Sequence, residues 1–101
     1  MKIRIPKEVQ SGGVTYQVKW DESARQRLET EGCNGQCNKQ DLIILISPKM
    51  ARVAQTFIHE IVHAIDYEYC QGTLTEVQVD SLATGFLQVL RQLGIELVLE
   101  E

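Results

Sequence analysis

Between Met50 and Ile65, apolar side chains recur at Met50, Val53, Ala54, Phe57, Ile58, Ile61, Val62 and Ile65. That three-and-four spacing belongs to a helix that must bury one face. Immediately before it stands Leu42-Ile43-Ile44-Leu45-Ile46, an unbroken β-branched and leucine run of the kind found in strands covered on both faces. A second helical stripe follows, at Val79, Leu82, Ala83, Phe86, Leu90 and Leu93. In a chain of 101 residues these elements cannot each have a core of their own, so they must share one. The expectation is a single α+β domain over 1–101, a small mixed sheet packed by two substantial helices.

The punctuation of the chain refines this reading. Lys2 to Ile5 forms a short strand that stops at Pro6, and Ser11-Gly12-Gly13 marks a turn. Val14, Tyr16, Val18 and Trp20 alternate with polar residues, as in a half-buried strand. Glu22 to Thr30 reads as a helix with few apolar anchors, and Glu31 to Gln40, with its glycines and asparagines, as a loop. Ser47-Pro48 offers an N-cap and a first helical residue for the long helix, which should end near Gly72. Thr75, with Gln78 three residues on, is a capping box for the second helix. Gly94 ends that helix, and Ile95 to Leu99 forms a last short strand.

Composition narrows the function classes. Apolar residues make up 44% and charged residues 24% of the chain, which excludes a disordered polypeptide. The net charge is −4 and no Lys/Arg cluster occurs, so neither nucleic acid nor an anionic membrane is an expected partner. No apolar leader precedes the first strand and no run is long enough to span a bilayer, so a cytoplasmic location is expected. Three cysteines make a poor disulfide framework. Cys33 and Cys37 lack a second Cys/His pair to complete a structural zinc site and read as loop and core thiols; Cys70 is the remaining one.

The chemistry is concentrated at His59-Glu60-Ile61-Val62-His63, in the middle of the first long helix. Residues four apart lie one above the other on a helix face, so both imidazoles can reach one metal ion. Glu60 is rotated about 100° from His59, which puts its carboxylate beside the metal, where it can take a proton from water. These are the only two histidines in the chain, so a third ligand must be a carboxylate or Cys70. Asp66 lies two turns from His59 and reads as a supporting or surface residue. Glu76 and Asp80 fall along the inward edge of the second stripe. Glu76 is placed to supply the third metal oxygen and Asp80 to accept the second ring N–H of a ligand histidine; the alternative is Asp80 as ligand with Glu76 as a helix cap.

HEIVHAID followed by Glu76-x-x-x-Asp80 resembles the gluzincin group of zinc peptidases, including the very short minigluzincins and similar short HExxH proteins of phages and bacteria. The resemblance covers about Leu42 to Leu93. It implies a zincin-like domain with zinc held by His59, His63 and Glu76, Glu60 as general base, and Asp80 orienting a ligand histidine. It implies a zinc-dependent peptidase acting on peptide or protein substrates. It also implies a sheet strand before the metal helix that offers its edge to extended substrate, a role for which Leu42 to Ile46 is placed. No further histidine is present to stabilise an oxyanion, which leaves Tyr67, Tyr69 or Tyr16 for that role. The alternative is a non-catalytic module in which zinc ties two helices together. The sequence leaves substrate preference and oligomeric state open.

Overall fold

The computed structural model describes residues 1–48 and 51–99, and its architecture is α+β with three helices and two sheets. The larger sheet is assembled from β2 (Glu8–Ser11), β3 (Val14–Lys19), β4 (Gly35–Asn38) and β5 (Ile43–Ile46) in the order β2-β3-β5-β4. β2 and β3 form a hairpin whose last pair, Ser11 with Val14, leaves Gly12-Gly13 as the turn. β3 and β5 run parallel, which demands a crossover connection. The helix α1 (Glu22–Glu31) supplies it, capped by Asp21, whose side chain accepts from the Ala24 N–H at 2.9 Å.

The unbroken apolar run follows from this topology. β5 is internal and covered on both faces. Ile44 and Ile46 join Tyr16, Val18 and Phe57 in the main core, while Leu45 packs against Ala24 and Leu28 of α1. The alternation in β3 also holds, with Tyr16 and Val18 buried and their neighbours exposed.

Two findings correct the sequence reading of this sheet. Gly35–Asn38 is a strand, not part of a loop: its residues have little intrinsic β preference, but antiparallel pairing with all of β5 overrides it. As a result β5 has partners on both sides and cannot offer an edge; the edge next to the long helix is β4. β2 was likewise not evident in the sequence.

The long helix α2 spans Val53–Tyr69 and lies across the sheet. It starts later than Ser47-Pro48 suggests, because the Ser47 N–H continues the ladder by donating to the Asn34 carbonyl at 3.0 Å; Met50 lies outside the described residues. α3 (Glu76–Gln92) packs along α2 and begins with the expected box, Thr75 Oγ1 accepting from the Gln78 N–H and Gln78 Oε1 from the Thr75 N–H. It stops at Gly94 (φ 77°) in a Schellman arrangement, with Ile95 N–H on the Leu90 carbonyl and Gly94 N–H on that of Arg91. The chain then returns as β6 (Glu96–Val98), which pairs in parallel with β1 (Lys2–Arg4). No described helix is long and apolar enough to cross a membrane.

Candidate metal centre

The site is built where α2 and α3 meet. His59 and His63 stand one turn apart on α2, their rings edge to face with centroids 5.0 Å apart. The first residue of α3 brings Glu76 to both: its Oε1 is 2.7 Å from His59 Nε2 and its Oε2 is 3.3 Å from His63 Nε2. Ligand atoms of the three residues lie within 4.8 Å of one another. Donor atoms around a tetrahedral ion with bonds of about 2.0–2.1 Å are separated by roughly 3.4 Å, so the group fits a single ion with little rearrangement. Two imidazole nitrogens and a carboxylate suit a divalent transition metal, zinc among them, and leave a coordination position open. The His59 face not used by Glu76 looks toward Asp80, with Nδ1 3.5 Å from Oδ1.

Glu76 and Asp80 differ from expectation in one respect. Both are largely exposed rather than directed at the core, with side chains 70% and 68% accessible. Glu76 is in line with the buried Val79, Ala83 and Leu87, but it sits at the open end of the helix pair.

Glu60 is the opposite case. It is only 6% exposed, although it belongs to the same turn as the half-buried histidines that reach the open side of the helix pair. The chain rises over it at β4: a Cβ on Gly35 would stand 2.8 Å from Glu60 Oε2 and 2.5 Å from Thr56 Cγ2. Burial pushes the Glu60 carboxyl up to about 7, while nearby His59 pulls it down and Glu76 adds to the rise. Among the described residues its carboxylate makes no hydrogen bond. It lines a cleft of about 270 Å³ together with His59, Asp80, Thr56, Gly35 and Arg52.

Asp66 is neither a ligand nor a surface residue. It is 2% exposed; its Oδ1 accepts from the Leu74 N–H at 3.2 Å, and its carbonyl accepts from the N–H groups of Cys70 and Gly72. These bonds fold the short connection between α2 and α3, where Gln71 and Gly72 take positive φ, and so set where Glu76 begins α3. The tightness of a six-residue connection (70–75) between two stripes that must pack together was the available signal for such a clasp.

The three tyrosines separate clearly. Tyr16 is fully buried in the core, its hydroxyl held up to about 12 by burial first and then by Cys37, Glu68 and Tyr67; it cannot reach a substrate. The Tyr69 hydroxyl accepts from the Gly12 N–H at 3.1 Å, at the hairpin turn. Tyr67 stacks on His63 with centroids 6.1 Å apart, and is the one beside the metal group. Cys33 and Cys70 are exposed and Cys37 is half-buried; all three are free. Comparison of the chain with protein-family models, with characterised proteins and with solved structures gives no match, so the site's own geometry carries the functional reading.

Proposed function

We propose that the chain is a zinc-dependent peptidase, with His59, His63 and Glu76 holding the metal. The observation that carries this reading is Glu60: a carboxylate buried beside a His–His–Glu group, without a hydrogen-bond partner among the described residues, and facing a cleft. A site that only tied α2 to α3 would have no need of it, and a buried carboxylate without a partner costs stability. When bound, zinc would supply a water of lowered pKa and polarisation of a carbonyl.

The protein's own groups do the rest. Glu60 takes a proton from the attacking water and passes it to the leaving amine. Its burial beside the His–His–Glu group and its place on the cleft suit both steps. Asp80, with Oδ1 3.5 Å from His59 Nδ1, is near enough to accept from that nitrogen after a small closure and so to favour the tautomer that turns Nε2 to the metal. An extended peptide pairs with the free edge of β4, which brings it past Glu60 at Gly35. Tyr67, whose ring stacks on His63, is the tyrosine to which we assign help in stabilising the oxyanion.

The alternative, a structural zinc module, draws on the fact that the three ligands bridge two helices of a small core. Glu60→Gln separates the two. The variant should keep one zinc per chain and a melting temperature no lower than that of wild type, since a buried charge is removed. It should lose about 10² to 10⁴ in the rate of cleavage of an unstructured peptide library. Wild type and variant equally inert, with zinc verified in both, would leave only the metal site standing.

A further inference from the structure

The apolar stripe of α3 is only half used by the fold. Val79, Ala83 and Leu87 are buried, whereas Leu82, Phe86, Val89 and Leu93 are 42, 52, 51 and 66% exposed. Their spacing of four, three and four residues draws one seam along the helix. Contacts on the other flank fix its direction. Asp80 faces His59, and Thr84 Oγ1 accepts from Gln55 Nε2 at 3.2 Å. Leu82 and Phe86 come two residues later, about 200° round the helix, so the seam looks away from the metal group. The matching flank of α2 carries Ile58, Ile61 and Ile65, which with Pro6 and Val9 line an apolar groove of about 330 Å³. Ile58 also packs against the Val62–Val79–Ala83 cluster, so the groove runs to the buried row of α3, next to which the seam lies on the helix.

The chemistry of this face selects its occupant. The helix positions bordering the seam on its open side are Gln78, Ser81, Gly85 and Gln92. None is charged, so the face offers no cation to a lipid headgroup or a phosphate backbone. Set against its own copy, it opposes no like charges, as a two-fold interface requires. A Cβ at Gly85 would meet nothing within 4 Å. This glycine therefore serves no contact inside the chain, although a mid-helix glycine weakens a helix, and it would let another backbone approach closely. The exposed seam with Ile65 presents roughly 500 Å² of apolar surface, in the upper part of the range of about 300–600 Å² for the largest patch on a monomer, which is often an interaction site. Two such faces supply about 1,000 Å², the apolar content of a homodimer interface of about 1,600 Å² that is about 65% apolar.

We propose that a second copy of this chain docks on this face, the two α3 helices packing antiparallel about a two-fold axis through the Leu82–Leu93 seam. Antiparallel pairing keeps the acidic α3 N-termini, with Glu76 and Asp80, at opposite ends; parallel pairing would crowd them together. Both metal groups stay on the outer flanks, open to solvent.

Sedimentation velocity on the full chain tests this, under reducing conditions because Cys33 and Cys70 are exposed. The expected species at about 100 µM, where micromolar association is nearly complete, has twice the 11.5 kDa chain mass. Phe86→Glu should weaken association at least tenfold, with far-UV circular dichroism and zinc content unchanged. Leu93→Ser serves as the second variant should Phe86→Glu misfold. Glu29→Lys, on α1, should leave the dimer intact. A monomeric wild type at that concentration would mean that something other than a second copy covers the face, and would overturn the proposal. So would a dimer insensitive to both seam variants, which would place the interface elsewhere, or growth into larger open assemblies, which would exclude two-fold closure.

Discussion

Gly35→Ala tests the closeness of β4 to α2, on which the burial of Glu60 depends. Gly35 carries no positive φ, so the backbone itself would accept alanine. The obstacle is contact. The new Cβ would lie 2.5 Å from Thr56 Cγ2 and 2.8 Å from Glu60 Oε2, about 1 Å inside ordinary carbon contact of about 3.5–4.0 Å. Thr56 has only two helix-compatible χ1 rotamers and Glu60 Oε2 stands in the way as well, so relief of both contacts requires a side-chain change together with a lift of β4 or a shift of α2. Overpacking of this kind costs about 1–3 kcal/mol, and the reduced freedom of the unfolded chain returns only about 0.4–1 kcal/mol. The expected net loss is about 1–2 kcal/mol, or a fall in melting temperature of roughly 5–15 °C for a domain of this size. Urea denaturation followed by circular dichroism, in the presence of a chelator, measures it without a metal contribution. Thr56→Ala removes the nearer obstacle, so in that background Gly35→Ala should cost about 1 kcal/mol less. A variant as stable as wild type, or a coupling below about 0.3 kcal/mol in the double-mutant cycle, would refute the tight seating of β4 over Glu60.

The two carboxylates of α3 should differ in kind. Glu76→Gln should remove most zinc affinity, while Asp80→Asn should lower affinity or activity by about 10–100-fold; competition titration with a chromophoric chelator ranks them, and the reverse order would exchange their roles. Tyr16→Phe should leave stability unchanged or raise it by up to about 1 kcal/mol, because the buried Tyr16 hydroxyl has no hydrogen-bond partner among the described residues and its removal relieves a desolvated group. A loss above about 1 kcal/mol in denaturant titration would show that the hydroxyl is satisfied after all.

Much of this molecule is written in short-range pattern. The period-two alternation from Val14 to Val18, the apolar run ending at Ile46, the Thr75–Gln78 box and the four-residue spacing of His59 and His63 all report backbone geometry within a few residues. Each reappears in the structure at or near its expected place. What the pattern could not contain is pairing over distance. Gly35–Asn38 reads as a loop until β5 offers it a full ladder, and that one pairing moves the free edge from β5 to β4. β1 and β6 find each other only when the ends of the chain meet. Asp66 looks like any helix-surface carboxylate until the connection to α3 folds back onto it. The stripe on α3 names apolar residues without saying which are covered, because α2 can bury only one side of it. The candidate site divides the same way. Helix periodicity alone puts two imidazoles on one face, but only the packing of α3 against α2 carries Glu76 across 17 positions of sequence to within 2.7 Å of His59. Likewise, only the passage of β4 overhead decides that Glu60, one residue from a half-buried histidine, is buried.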